Sequence, residues 1–244
     1  MICHLCNKDR ELQSSHIIPE FVYKQLYDSK GRFHVLSTLE IRPKPTEQKG
    51  IREKLLCSEC EQQLSVYEKY AREILMGGVS FQVQHKGNLL YLSEIDYHKF
   101  KLFMLSILWR SSISSHAMFS RVNLGPHENI IKAMIHTNNS GKQLDYPCVI
   151  YGLTSKEDIH SNLIDQPRRF HTSGHNSYRF IFSGFVWLYF VTSHTLPKLM
   201  SEVVLSKEGE MIIGKGSYDD LSEFNYFAND LQKMGRLTKP KKNG

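Results

Sequence analysis

The chain opens MICHLC and later reads LLCSEC, so Cys3 and Cys6 form one Cys-x-x-Cys pair and Cys57 and Cys60 a second. Each two-residue spacer lets a knuckle turn two sulfurs toward one ion, and four thiolates suit a tetrahedral zinc, Zn²⁺. A compact zinc ribbon sets its pairs about 15–20 residues apart. Here 50 residues separate Cys6 from Cys57, which requires a substantial insertion between the knuckles. The total of five cysteines is odd and argues against a secreted disulfide framework. Thiolates shared by one structural zinc are already committed to the ion, which sets redox or zinc sensing behind other roles. The fifth cysteine, Cys148, lies in the apolar run YPCVIY and reads as a small buried strand residue. His4, inside the first knuckle, reads as solvent-facing rather than as a ligand.

With 244 residues, 41% hydrophobic and 23% charged, the chain can fill one generous core or two unequal domains. Its net charge of +6 suits an anionic partner such as nucleic acid. Residues 1–80 carry only +1 of that charge; the larger remainder supplies most of any positive field. The terminal RLTKPKKNG holds four basic groups and no acid, a solvated end with a capacity to touch phosphate. No basic segment followed by an apolar stretch opens the chain, and no apolar run reaches the roughly 18 residues of a membrane span. A cytoplasmic protein without a membrane partner is expected.

The pattern changes character near Met76-Gly77-Gly78, which predicts two units, 1–78 and 79–244. In the first, EFVYKQLY has mixed helical spacing, DSKGRF is a turn, and RPKPTEQKG is a loop because Pro43 and Pro45 exclude a regular element. From Cys60 onward Leu64, Tyr67, Ala71, Ile74 and Leu75 share one stripe of a helix that ends at Gly77-Gly78. In the second unit, VSFQVQ and LLYLSE flank KGN as a hairpin. A strongly apolar helix spans about Asp96 to Ser115, with Trp109-Arg110 anchoring its packing, and PHENIIKAMIH is a shorter helix. CVIYGL, YRFIFSG and FVWLYFVTS read as strands, EVVLSKEGEMIIG as a hairpin across KEGE, and YDDLSEFNYFANDLQKM as a terminal helix. The fold class is α+β. RRFHTSGHN gathers Arg168, Arg169, His171 and His175; Ser173-Gly174 favours a loop that contacts phosphate over a metal site.

Three stretches belong together: CHLC, then SHIIP with His16 ten residues after Cys6, then KLLCSECE leading into a helix. This arrangement resembles the HNH nucleases, whose core is a treble clef (ββα-metal) fold. The resemblance covers residues 1–75. It implies a zinc-stapled treble-clef module followed by a mixed α+β domain that positions substrate or receives a control signal. It also implies that SHIIPEF is the first strand of a hairpin, with His16 as general base, Ile17 and Ile18 anchoring the strand and Pro19 ending it. A structural zinc on Cys3, Cys6, Cys57 and Cys60 would hold hairpin and helix in register, while Mg²⁺ or Mn²⁺ assists cleavage. Stand-alone nucleases of this kind resemble bacterial restriction, phage-defence or toxin effectors.

The chemistry suits these residue types. A neutral histidine takes a proton from water near pH 7, and a cation offsets charge on the scissile phosphate. At three positions the chain departs from the family. Ser15 stands where an acidic ligand precedes the histidine, Glu61 follows the last cysteine where histidine or asparagine is usual, and Arg52 and Glu53 occupy the region of the orienting asparagine. Glu61 then supplies a carboxylate as ligand for the divalent cation, and Glu53 a second oxygen or a brace for His16. Glu68, nearly two turns beyond Glu61, supports substrate or a partner. Arg52, Arg168 and Arg169 are the expected nucleic-acid contacts. Two functions follow: an endonuclease acting on DNA ahead of RNA, or a zinc-stabilised module that binds nucleic acid or protein without catalysis. A regulatory protein partner or a homo-oligomer fits either.

Overall fold

The computed structural model describes residues 1–34, 46–155, 158–159, 163–172, 175–192 and 198–217. The first knuckle is closed by a bridge between Ile2 and Asp9, with Asn7 at φ 59° giving the chain its reversal. Strand β1 (Leu12–His16) follows, and Pro19 ends the extended run and opens the single turn α1 (Glu20–Tyr23). Strands β2 (Arg32–His34) and β3 (Thr46–Gln48) form a two-stranded antiparallel sheet. The loop expected over residues 42–50 is therefore partly strand; Pro43 and Pro45 lie outside the described residues. Gly50 follows at φ +60°, where a Cβ would meet the Tyr23 ring at 2.7 Å.

Strand β4 (Arg52–Cys57) returns antiparallel to β1, setting Leu12 opposite Cys57, Ser15 opposite Glu53 and His16 opposite Arg52. The register shifts between Gln13 and Ser14, leaving Leu55 of β4 as the extra residue, and Leu12 and Ser15, three apart in β1, are both buried. The chain runs directly from β4 into α2 (Ser58–Met76), whose buried stripe is Cys60, Leu64, Tyr67, Tyr70, Ala71 and Ile74 and whose C-cap is Gly77. Glu59 and Glu61 in its first turn face the positive end of the helix dipole.

Beyond Gly78, β5 (Gln82–Lys86) and β6 (Leu89–Ser93) form the expected hairpin. Helix α3 (Tyr97–Ile113) is capped by the Asp96 carboxylate accepting from the Lys99 amide at 3.0 Å, and it is buried along nearly its whole length. A 3₁₀ turn at Ala117–Phe119 leads to α4 (His127–His136). Strands β7 (Cys148–Ser155), β8 (Asp158–Ile159), β9 (Asp165–Thr172), β10 (His175–Phe182) and β11 (Phe185–Phe190) follow, then α5 (Lys198–Val203) and β12 (Met211–Ser217). The main sheet runs β5-β6-β12-β7-β11-β10-β9, with β8 on β7; β12 lies antiparallel to β6 and parallel to β7. This corrects the hairpin expected across KEGE: only MIIG is strand, because Glu202 and Val203 complete α5 and the flanks of β12 are taken by β6 and β7. The expected terminal helix and the basic tail lie outside the described residues.

The protein is a mixed α+β fold with a four-cysteine cluster near its N-terminus. One apolar cluster runs from Leu5, Ile17 and Val22 through Leu64 and Phe103 to Trp187 and Ile213. The α2 cap falls where a unit boundary was expected, yet the core continues across it because α2 packs on α3. Among the described residues no helix is long and apolar enough to cross a membrane.

Candidate functional site

The four cysteine sulfurs lie within 4.8 Å of one another, with Cys6 Sγ 3.8 Å from Cys57 Sγ. A tetrahedron of thiolates about 2.3 Å from a zinc has edges of roughly 3.8 Å, so this donor set fits such an ion. The Cys57 amide donates to Cys3 Sγ at 3.3 Å, and the His4 amide to the Leu55 carbonyl at 3.0 Å, which ties the first knuckle to β4. Burial pushes the Cys3 thiol up, but amides of Cys6, Cys57 and Leu5 outweigh it and bring it down to about 7. Burial raises Cys57 and Cys60. Four convergent sulfurs, three of them on buried residues, form a donor set that a thiophilic dication completes. His4 is exposed, and Cys148 is a buried strand residue.

His16 closes β1. Its Nε2 lies 2.6 Å from Glu20 Oε2 and 2.8 Å from Arg52 Nε, and Arg52 also donates to the Lys49 carbonyl at 3.0 Å. A ring protonated only on Nδ1 accepts from Arg52, whereas a ring bearing a proton on Nε2 donates to Glu20. One nitrogen thus has two alternative partners, and proton uptake exchanges one for the other. Burial and the Arg52 cation lower the His16 pKa below its ordinary 6.5, opposed by Glu20 and Glu68, so the ring is neutral at pH 7. Burial favours protonation of Glu20, but contacts from Tyr27, His16 and Arg52 outweigh it and keep the carboxylate charged. Its other oxygen accepts from Tyr27 Oη at 2.9 Å.

Behind β1 lies a polar cluster at the α2–α3 seam. Arg110 from α3 is 1% exposed; its Nη1 donates to the His16 carbonyl at 2.7 Å and its Nε to the Ser106 carbonyl at 3.3 Å. Arg110 Nη2 lies 2.7 Å from Glu68 Oε1, a close ion pair whose angle falls short of a good hydrogen bond. Glu61 and Ser15 adjoin this pair. Burial raises the Glu61 pKa, partly offset by the Ser15 hydroxyl and the Arg110 charge. Glu61 Oε1 and Ser15 Oγ are buried without a well-formed hydrogen bond among the described residues.

Glu53 faces elsewhere. Its carboxylate accepts from the Ser114 hydroxyl, from the Ser115 amide at 3.0 Å and hydroxyl at 2.7 Å, and from the His116 amide at 3.3 Å. The oxygen pair expected to hold a divalent cation is thus divided: Glu53 is spent on the segment after α3, and half-buried Glu61 turns a buried oxygen into the seam. Among the described residues the cysteines are the one group of three or more His, Cys, Asp or Glu side chains that converge on a metal position. Among the described residues, Glu53 and Glu61 do not come together as the expected ligands of Mg²⁺ or Mn²⁺.

Arg168 and Arg169 sit in β9 rather than in a loop. Arg168 lies 3.8 Å from Asp165, and Arg169 donates to Asn176 Oδ1 at 3.1 Å beside a cavity of about 290 Å³ bordered by Asn123, His127 and Tyr178. His171 is exposed in β9 and His175 opens β10, so the two do not share a helix face. The structure thus joins His16 to Arg52 and Ser15 to Glu61, and it turns Glu53 away. Sequence reasoning missed Glu20, and it read Arg110 as a packing anchor of its helix without its hold on the His16 carbonyl. The i,i+4 spacing of His16 and Glu20 carried a signal for the first; Arg110 is 94 residues from His16 and carried none. No family model, curated protein or solved structure matches this chain.

Proposed function

We propose that this protein hydrolyses phosphodiester bonds of nucleic acid, DNA ahead of RNA, from a treble-clef scaffold of the HNH kind. The observation that carries this reading is the seating of His16 at the end of β1, opposite Arg52 on the strand that runs into the second cysteine pair and α2. A knuckle, an antiparallel strand pair and a helix gathered round four sulfurs are what the resemblance implies for such an enzyme. Zn²⁺ on Cys3, Cys6, Cys57 and Cys60 supplies a fixed joint between knuckle, β4 and α2.

The chain's own residues supply a route for hydrolysis. A phosphate draws the Arg52 guanidinium toward itself, which releases the His16 Nε2 lone pair from its hydrogen bond to Arg52 and places a cation where charge accumulates. The neutral imidazole takes a proton from water as the water oxygen bonds to phosphorus. The ester P–O bond breaks, and the leaving oxygen takes a proton from solvent. Glu20 Oε2 receives the new Nε2–H, with its other oxygen held by Tyr27. The divided Glu53 and Glu61 favour a second reading, a zinc-stabilised module that binds nucleic acid without cutting it.

Cleavage of supercoiled plasmid and of single-stranded RNA separates the two, with wild type and His16→Ala compared in EDTA, Mg²⁺ and Mn²⁺ after zinc content is matched. Wild type is expected to cut, and His16→Ala to be slower by about 10²-fold or more. Folded, zinc-loaded wild type that cuts neither substrate, yet binds with salt-dependent affinity that His16→Ala leaves unchanged, would establish the binding module.

A further inference from the structure

Helix α3 lies outside the stretch that resembles a nuclease, yet its end holds that stretch at two points. Arg110 grips the last carbonyl of β1, and the Ser114–His116 segment grips Glu53 on β4. We infer that the Arg110–Glu68 pair is the positioning element of His16, with Arg110 fixing the end of β1 and the pair setting the charge beside the imidazole. The role of the positioned ring rests on the hydrolase reading, whereas the positioning can be tested without substrate.

The geometry is specific to arginine. Nη1 donates to the His16 carbonyl, Nε to the Ser106 carbonyl and Nη2 to the Ser106 hydroxyl at 3.4 Å, and Nη2 also lies 2.7 Å from Glu68 Oε1, so one planar fork holds three acceptors and a charge partner at once. A guanidinium at 1% exposure persists only when paired, and Glu68, with a side chain 24% exposed, is its carboxylate partner. Because Nη1 binds backbone rather than the ring, Arg110 sets where His16 begins without occupying either ring nitrogen. The charged groups facing the imidazole are Glu20 from α1, Arg52 from β4 and Glu68 from α2, with Arg110 from α3 behind them. Glu68, like Glu20, favours the protonated ring, and the Arg110 cation paired with Glu68 works against that influence. Removing Arg110 therefore pushes the ring toward protonation, while removing the Glu68 charge pushes it the other way.

The test is an NMR pH titration of the His16 ring in full-length, zinc-loaded protein, with its signal identified by its loss in His16→Gln. Arg110→Gln is expected to raise the His16 pKa, Glu68→Gln to lower it, and Arg110→Lys to fall between wild type and Arg110→Gln. In cleavage assays Arg110→Gln is expected to lower kcat by about tenfold or more with KM held within roughly twofold, because misplacement of a catalytic group costs rate. The acid limb of its pH profile should move with the NMR titration. Should Arg110→Gln fail to fold, Glu68→Gln decides the matter, since its amide keeps an acceptor oxygen beside the Arg110 guanidinium and empties no core volume. An unchanged His16 titration in Glu68→Gln, or shifts of the same sign in both variants, would overturn the inference. Wild type that cuts nothing would defeat the hydrolase reading and leave the NMR result to stand or fall alone.

Discussion

Glu53 and Glu61 look alike in sequence, two carboxylates flanking the second cysteine pair, and the fold gives them opposite fates. Glu53 sits opposite Ser15 in the strand pair, and its oxygens are satisfied by hydroxyls and amides 61 to 63 residues away. Burial raises its pKa, but those donors outweigh it and leave the group below its ordinary 4.5. A depressed folded pKa means that its stabilisation is complete above the unfolded value and is lost as pH falls through the folded one. Glu53→Gln is thus expected to cost about 1–2 kcal/mol at pH 7, a figure reduced for partial exposure. Urea unfolding should find that deficit shrinking as pH drops below 4.5. A deficit independent of pH would mean that shape rather than charge holds the Ser114–His116 segment. At this scale the cysteine cluster was legible because spacing marks it. The partners of Glu53, and the grip of Arg110 on the His16 carbonyl, were not, because three-dimensional neighbours so distant leave no local pattern.

Elements were legible where one physical signal dominated. Asp96 before an apolar run marks the start of α3, and KGN between alternating stretches marks the β5–β6 hairpin. The reading failed at EVVLSKEGEMIIG because a turn flanked by apolar residues joins two strands or a helix and a strand equally well, and the choice was made by β6 and β7 on either side of β12. The cysteine cluster is the element whose removal is most informative, since it joins the first knuckle, the end of β4 and the start of α2. An ion held at about 100 to 1,000 times its Kd contributes roughly 3–4 kcal/mol. Chelation, or Cys60→Ser, is then expected to lower Tm by roughly 6–16 °C and to abolish bound zinc. Calorimetry with parallel metal analysis checks both. A Tm unmoved by complete loss of metal would show that the packing of α2 on α3 holds the region without the ion.

At the scale of the whole molecule the sequence suggested a boundary at Gly77-Gly78, because glycines end a helix and the charge balance shifts there. Local signals of that kind report the end of an element; whether it is also the end of a core depends on what the element packs against. Tyr67, Tyr70, Ala71 and Ile74 are buried on α2, the Tyr70 hydroxyl receives the Asp96 amide at 2.6 Å, and Gln63 donates to the Ile135 carbonyl at 2.6 Å. Residues 1–78 alone would expose that face and leave the His16 carbonyl and Glu68 without Arg110. Such a fragment, loaded with zinc, is expected to keep its cysteine-bound metal yet to bind an apolar dye and show poorly dispersed amide NMR signals, with His16 titrating higher than in the full chain. A well-dispersed fragment with a wild-type His16 titration would mean that the knuckle, strand pair and helix fold and set their own site, and that α3 is only a neighbour. The expected result would instead make residues 79–217 part of the site, because the helix that fills the core also carries the group that holds His16 in place.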